Sequence, residues 1–181
     1  AALRFVPGQY VKLEVAPFEW RDYSIAAASG TQLTLLISNR TRGDGSNWAD
    51  RVEPGAETEV EAPFGAYRLL ANDHRKVFVA TGTGVAPFLS MFEAMADDGG
   101  LGAGELYFGW RTPEEDNTGA FSSRPRTILC TSRAAPPAGG RAGRVTAALA
   151  DLAFDPATTV FYISGSAAMV ADCRAVLERA G

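Results

Sequence analysis

The stretch Val77-Phe78-Val79-Ala80-Thr81-Gly82-Thr83-Gly84-Val85-Ala86-Pro87-Phe88 decides how the rest of the chain is read. Val77–Ala80 is a continuous apolar run that stops at glycine, which predicts a strand buried on both faces. Gly82 and Gly84 let backbone approach a ligand closely. Pro87 suits the first turn of a helix, where its missing N–H costs nothing. Over Val85–Ala96 the apolar residues Phe88, Leu89, Phe92 and Met95 recur at helical spacing. A helix start offers free N–H groups and a positive dipole end to a phosphate. A tight strand–helix turn with no ligand is the alternative reading. The pattern is not the dinucleotide fingerprint, because Pro87 stands where its third glycine would be. Glu105 lies about 20 residues on, but at the start of its strand, a poor place for a ribose ligand.

Downstream, Glu105–Trp110, Thr127–Thr131 and Val160–Ser164 read as further buried strands, and Gly143–Leu152 and Ala167–Ala180 as helices. Strand–helix alternation predicts a parallel sheet with helices on its faces. In Phe161-Tyr162-Ile163-Ser164-Gly165-Ser166-Ala167-Ala168-Met169 another strand runs through a glycine turn into a helix. Ligands of such sheets collect beyond the carboxyl ends of the strands, where this turn and Gly82–Gly84 would both open. Upstream, Tyr10–Val15, Tyr23–Ala27, Gln32–Ser38, Glu57–Glu61 and Tyr67–Leu70 are short alternating stretches between turn residues. They predict an antiparallel sheet or small barrel. Asn72-Asp73-His74 reads as the hinge, giving domains 1–72 and 73–181, and His74 as a turn residue rather than a base.

Composition narrows the function. The 181 residues are 46% hydrophobic and 21% charged, which is globular and argues against disorder. No apolar run approaches the ~20 residues of a membrane helix. Ala1-Ala2-Leu3-Arg4 shows no charged-then-apolar leader, so no secretory signal is expected, and two cysteines with no disulfide framework make the reducing cytoplasm the expected compartment. With 2 Cys and 1 His, neither a four-thiolate iron–sulfur cluster nor a structural zinc is expected, and no metal is assigned. A net charge of −4 argues against a nucleic-acid binder. Yet residues 117–150 contain no acid and five arginines: Arg124, Arg126, Arg133, Arg141 and Arg144. That is either a local site for an anion or a solvated arginine face.

Two upstream segments carry further chemistry. In Trp20-Arg21-Asp22-Tyr23-Ser24-Ile25-Ala26, strand alternation puts Arg21 and Tyr23 on one face and Asp22 and Ser24 on the other. An arginine beside an aromatic suits a phosphate and a stacked ring; a cation–π pair on an edge strand is the alternative. In Arg40-Thr41-Arg42-Gly43-Asp44-Gly45-Ser46-Asn47-Trp48, glycines precede a helical stretch to Val52 with Ser46 or Asn47 as N-cap. This is a second anion site or an ordinary loop.

Taken together, these segments resemble the ferredoxin–NADP reductase-like flavoproteins almost end to end. Pro7-Gly8-Gln9-Tyr10 is similar to the barrel strand "PGQ(Y/F)" and Arg21-Asp22-Tyr23-Ser24 to the flavin motif "RxYS". Gly43, Gly45 and Ser46 resemble the loop and helix start that bind the flavin pyrophosphate, and Pro63-Phe64-Gly65 the turn closing the barrel. Thr81 and Gly82–Pro87 resemble the nicotinamide-nucleotide turn "GTGxAP", which includes Thr83 and Gly84. Phe108-Gly109-Trp110-Arg111 is similar to "FGxR", and Ser164-Gly165-Ser166 with Met169 to "CGxxxM".

The resemblance implies an FAD-binding antiparallel barrel followed by an α/β parallel-sheet NAD(P)-binding domain. It implies that Arg21 holds a flavin phosphate, Tyr23 packs against the isoalloxazine and Ser24 hydrogen-bonds near its N5. A strand end or bulge would have to bring Tyr23 and Ser24 together. Tyr23, Ser24 and Ser164 are the residues expected where hydride is transferred, and Arg111 joins the cofactor set. Ser132 and Arg133 at the end of the third parallel strand, with Arg141 and Arg144, are expected to meet the adenosine ribose and favour NADP(H) over NAD(H).

The sequence departs from the family pattern at three places. Only six residues precede the barrel motif, so either the barrel is incomplete or its start is missing from the sequence. Only 15 residues separate Arg111 from Thr127, which predicts a break or tight crossover between Asp116 and Arg124. Ser164 stands where a Cys is often found. The function implied is hydride transfer from NAD(P)H to FAD, with electrons passed to a separate acceptor such as ferredoxin, flavodoxin or an oxygenase component, or to a fused redox domain. The alternatives are a flavin reductase that releases reduced flavin and a catalytically silent flavin-binding module.

Overall fold

The computed structural model describes residues 3–39, 42–112, 115, 118 and 121–181. Residues 116, 117, 119 and 120 of the segment expected to hold a break lie outside them. The chain divides into two compact units, one of residues 1–69 and 86–91, the other of residues 70–85 and 92–181.

The first unit is built on four antiparallel strands: β1 (Tyr10–Ala16), β2 (Glu19–Ser29), β3 (Gln32–Leu35) and β4 (Val60–Phe64). Their order is β3-β2-β1-β4, an open sheet with β3 and β4 as edges. Along β1 the period of two is plain: Val11, Leu13 and Val15 are buried and Lys12 and Glu14 lie between them. Helix α1 (Asp44–Arg51) joins the edge strands. Gly8, at φ +99°, has no room for a side chain: a Cβ would stand 2.4 Å from Met91 Cε and 2.5 Å from Tyr67 O. Its N–H donates to Ser90 Oγ at 3.1 Å, and that hydroxyl donates to Pro87 O at 3.0 Å.

Three upstream expectations change. Tyr67–Leu70 is not a strand, because the Leu70 N–H is taken by Tyr162 Oη at 2.8 Å and the Leu70 carbonyl by the nearby Asn72 N–H. Gln32–Ser38 stops as a strand at Leu35, and the Ser38 carbonyl accepts the Ser46 hydroxyl instead. Glu57–Glu61 begins only at Val60, after a turn closed by Ala56 N–H on Glu53 O.

The second unit is a parallel sheet of β5 (Arg75–Thr81), β6 (Gly104–Trp110), β7 (Arg126–Thr131), β8 (Arg141–Ala142) and β9 (Thr159–Ser164), in the order β8-β7-β6-β5-β9. The short β8 went unread in the sequence. Helix α2 (Ala86–Asp97) follows a 3₁₀ turn over Gly82–Val85, and α3 (Val145–Ala150) and α4 (Ala167–Ala180) complete the elements that carry the site. Val77 and Val79 point into one apolar cluster with Tyr107, Ile128, Cys130, Val145, Leu149 and Cys173. On the other face Phe78 meets Phe92 edge-on and stacks on Tyr162, both at 4.9 Å. Burial on both faces explains the unbroken apolar run of β5, and each such large side chain contributes about 1.5–3 kcal/mol. Helix α3 starts two residues later than expected because Gly143 sits at φ +105°, outside helical space.

Candidate functional site

In the parallel sheet the strands leave in chain order from β5 to β8, and β9 returns on the far side of β5. The crevice between β5 and β9 at their carboxyl ends is therefore the topological switch point, where open α/β sheets take ligands. The two glycine turns meet there. A Cβ on Gly84 would stand 2.6 Å from both Gly165 Cα and Ser164 O, and one on Gly165 would stand 2.4 Å from Met169 Cε and 2.6 Å from Thr81 Oγ1. Gly84 is thus required by packing against backbone, whereas Gly165 faces the ends of the Met169 and Thr81 side chains. Gly82 is required by backbone conformation, at φ +53°, and open space lies where its side chain would be.

The other expected nucleotide residues follow along the same edge. Thr83, Arg111, Ser132, Arg133 and Arg144 are exposed, and Thr81, Ser164 and Met169 are half-buried. Ser132 and Arg133 extend the ladder past β7, donating their N–H groups to Trp110 O at 3.2 Å and Arg111 O at 3.0 Å. Arg111 is held by Glu115, whose carboxylate accepts the Arg111 N–H at 2.9 Å and lies 3.6 Å from Nε. Ser166 caps α4, its hydroxyl accepting the Met169 N–H at 3.3 Å. Pro87 is buried in the first turn of α2 and shapes the helix start rather than presenting a surface.

The five arginines do not form one patch. Arg124 and Arg126 precede or open β7, whereas Arg133 follows its end, and six strand residues span roughly 20 Å. Arg126 shares Glu105 with Arg75, at 3.3 and 2.8 Å. Arg141 pairs with Asp151, one residue beyond the acid-free window. Arg133 and Arg144 make no ion pair among the described residues. They are the arginines left free at the carboxyl edge.

In the first unit the expected pairing of Arg21 with Tyr23 is present. Both reach Gly45, where a Cβ would stand 1.9 Å from Tyr23 Oη and 3.8 Å from Arg21 Cγ. Arg21 donates to Trp20 O at 2.7 Å, to Glu19 at 3.2 Å and to Asp44 in the first turn of α1. Those partners, Glu19 first and then Asp44, hold its pKa above the ordinary value. Burial raises the Tyr23 pKa, and Arg21 partly offsets this.

Two expectations are corrected here. Ser46 is not an N-cap: Gly43 occupies that position and Ser46 is buried inside α1, its Oγ donating to Ser38 O at 2.5 Å. The irregularity in β2 falls between Ile25 and Ala27, whereas Tyr23 and Ser24 pair regularly with Val11 and Tyr10. Tyr23 and Ser24 therefore keep opposite faces. Asp44, Asp151 and Glu115 went unread as arginine partners. Asp44 was the legible one, an acid in the first turn of a helix.

Residues 78–175 match the family model of the oxidoreductase NAD-binding domain. Over 181 aligned residues the chain is 35% identical to ferredoxin–NADP reductase B of Sorangium cellulosum, covering 88% of this chain and 74% of that protein. The chain belongs to the ferredoxin–NADP reductase family. A crystal structure of a ferredoxin–NADP reductase from Neisseria gonorrhoeae with bound FAD and NADP is similar over 98% of this chain and 80% of that one. Its TM-score is 0.78 at 29% identity. The anthranilate 1,2-dioxygenase electron transfer component of Acinetobacter baylyi is 35% identical over 114 residues, 61% of this chain. This chain spans only 33% of that relative's length. Among the described residues no helix is long and apolar enough to cross a membrane.

Proposed function

We propose that this chain is an FAD-dependent NAD(P)H oxidoreductase that delivers electrons to a separate acceptor protein, such as a ferredoxin or an oxygenase component, or to a fused redox domain. The observation that carries the reading is the meeting of two glycine turns at the switch point of the parallel sheet, with unpaired Arg133 and Arg144 on the same edge. The names of the relatives support the same activity. Residues 1–72 form the flavin-binding domain in this reading and residues 73–181 the nucleotide-binding domain. The two free, buried thiols support a reducing compartment, the cytoplasm.

The residues of the first unit fit a flavin nucleotide. The Asp44 carboxylate beside Arg21 at the start of α1 supports an anionic oxygen group at this position, and a phosphate would take that place. Gly45 keeps the floor beneath Tyr23 free of a side chain, so the phenol stays over the loop. Bound FAD would supply the chemistry, accepting a hydride and releasing its electrons singly. The protein's part is positioning: in the first unit Arg21 anchors the phosphate and Tyr23 offers a ring face, with Ser24 on the opposite face of β2, and in the second unit Ser164 presents a hydroxyl at the carboxyl edge. Hydride transfer needs no acid or base, and none is assigned.

For the nucleotide, Gly82 gives backbone access, and Arg133 and Arg144 offer cations to a 2′-phosphate. An NAD-preferring site presents an acid to the ribose hydroxyls, and residues 117–150 hold none. NADPH is therefore the proposed donor. Anaerobic titration of the holoprotein with NADPH and NADH tests the function: bleaching of a flavin band by sub-stoichiometric NADPH is expected. A bound flavin that stays oxidised would refute it, and a colourless protein that reduces only added free flavin would make it a flavin reductase.

A further inference from the structure

Ser90 is buried within α2, 3% exposed, and its hydroxyl makes two hydrogen bonds. It donates to Pro87 O at 3.0 Å and accepts the Gly8 N–H at 3.1 Å. The first bond is the ordinary way for a helix serine to satisfy itself locally. The second is not local, since Gly8 lies 82 residues away in the chain. Gly8 is placed for it by a backbone at φ +99° and by the want of a side chain, for which Met91 Cε and Tyr67 O leave no room.

These two bonds continue a path that begins at the Arg21–Ser24 segment. Tyr23 and Ser24 pair with Val11 and Tyr10, and the Ile25 N–H donates to Gln9 O at 2.9 Å. From Gln9 the path passes along the chain to Gly8, then to the Ser90 hydroxyl, then to the Pro87 carbonyl. Every residue on it belongs to the first compact unit, which takes in residues 86–91 of α2 as well as 1–69. Ala86 and Pro87 are also the last two residues of the Gly82–Pro87 turn assigned above to the nucleotide. The end of that turn is thus joined, through the Ser90 side chain, to the strands that hold Tyr23 and Ser24.

We propose that Ser90 is a positioning residue for hydride transfer: its hydroxyl holds the Ala86-Pro87 end of the nucleotide turn to the strands that carry the flavin. The inference rests on the flavin and nucleotide readings given above. Ser90 touches neither ligand in this scheme. Its loss leaves the groups that bind flavin and NADPH in place but loosens the reacting geometry, so it acts on the rate of transfer rather than on affinity.

The test is anaerobic stopped-flow reduction of the flavin-loaded protein by NADPH, which separates the limiting rate from the dissociation constant. Ser90→Ala should lower the limiting rate on the order of tenfold and change the NADPH dissociation constant by less than about twofold. Val15→Ala truncates a buried β1 side chain off the path and serves as a destabilised control; it should keep the wild-type limiting rate. Ser90→Cys keeps the shape and weakens both bonds, and should show the same split at smaller size, which decides the matter where Ser90→Ala loses its flavin. A wild-type limiting rate in the Ser90 variants, an equal loss in Val15→Ala, or a loss carried by NADPH affinity alone would overturn the inference. A wild-type bound flavin that neither NADPH nor NADH reduces would overturn the functional reading, and this inference with it.

Discussion

The two candidate sites, one in each unit, are built from different material. At the carboxyl edge of the parallel sheet, Gly84 approaches backbone, Gly165 Cα and Ser164 O, while Gly165 faces the ends of the Met169 and Thr81 side chains. At the flavin half, the close approaches are side chain against backbone: Tyr23 Oη and Arg21 reach over Gly45, and Arg21 is held by Glu19 and Asp44. A backbone contact has nowhere to go when crowded, whereas the end of a side chain can swing away. The turn at Gly84 is thus fixed by the fold itself, and the loop at Gly45 is adjustable through a few side chains.

The largest expected effect tests that contrast directly. Gly84→Ala places a methyl 2.6 Å from two backbone atoms and should cost about 3 kcal/mol or more of stability in denaturant unfolding. Gly45→Ala meets the movable Tyr23 hydroxyl, so pairing it with Tyr23→Phe should recover most of its loss. A Gly84→Ala protein of normal stability would break the comparison.

Next in size is Arg21→Ala. Loss of a charge-assisted phosphate contact should weaken flavin binding by about 10- to 150-fold, or roughly 1.5–3 kcal/mol. Flavin titration of the folded variant measures it, and an unchanged dissociation constant would remove Arg21 from the site.

The alkaline limb of stability follows from the core of the second unit. Burial pushes the Cys130 and Cys173 thiols up to about 11. Between the ordinary thiol value near 9 and about 11, the unfolded chain loses these protons while the folded protein keeps them. The unfolded state then binds fewer protons, so stability should fall as pH rises through this window, by on the order of 1 kcal/mol per thiol. It should level off above it. A Cys130→Ala/Cys173→Ala variant should show a flatter curve in unfolding titrations from pH 8 to 12. At pH 8 neither native thiol should react with a thiol reagent.

Much of this was legible in the sequence. The buried run of β5, the helix after Pro87 and the alternation of β1 each express one local rule, and the structure follows them. What was not legible depended on partners distant in sequence. The arginine window looked like a patch because a linear count ignores strand direction: Arg126 opens β7, Arg133 lies past its other end, and Asp151 sits just outside the window. Ser46 looked like a cap by residue preference, but Gly43 began the helix earlier and Ser38 claimed the hydroxyl. Ser90 gave no signal at all, since its bond to Gly8 exists only once the fold brings the two together.

Arg133→Ala should raise the Michaelis constant for NADPH roughly tenfold, for one lost phosphate contact, and leave that for NADH nearly unchanged. Equal effects on both nucleotides, or a wild-type preference for NADH, would make Arg133 part of a solvated face. The smallest effect concerns Asp44, which competes for Arg21. An exposed ion pair is worth up to about 1 kcal/mol, so Asp44→Asn should tighten flavin binding by at most about fivefold. Weaker binding in Asp44→Asn would mean that the carboxylate supports the flavin rather than standing in its place.

The most direct test of the account is hydrogen–deuterium exchange of the holoprotein with and without saturating NADP⁺. Protection is predicted at the carboxyl edge, in peptides holding Thr81–Val85, Trp110–Arg111, Thr131–Arg133, Gly143–Val145 and Ser164–Ala167. Protection confined to the opposite edge, around Arg75, Glu105 and Arg126, or no protection despite measured binding, would contradict it.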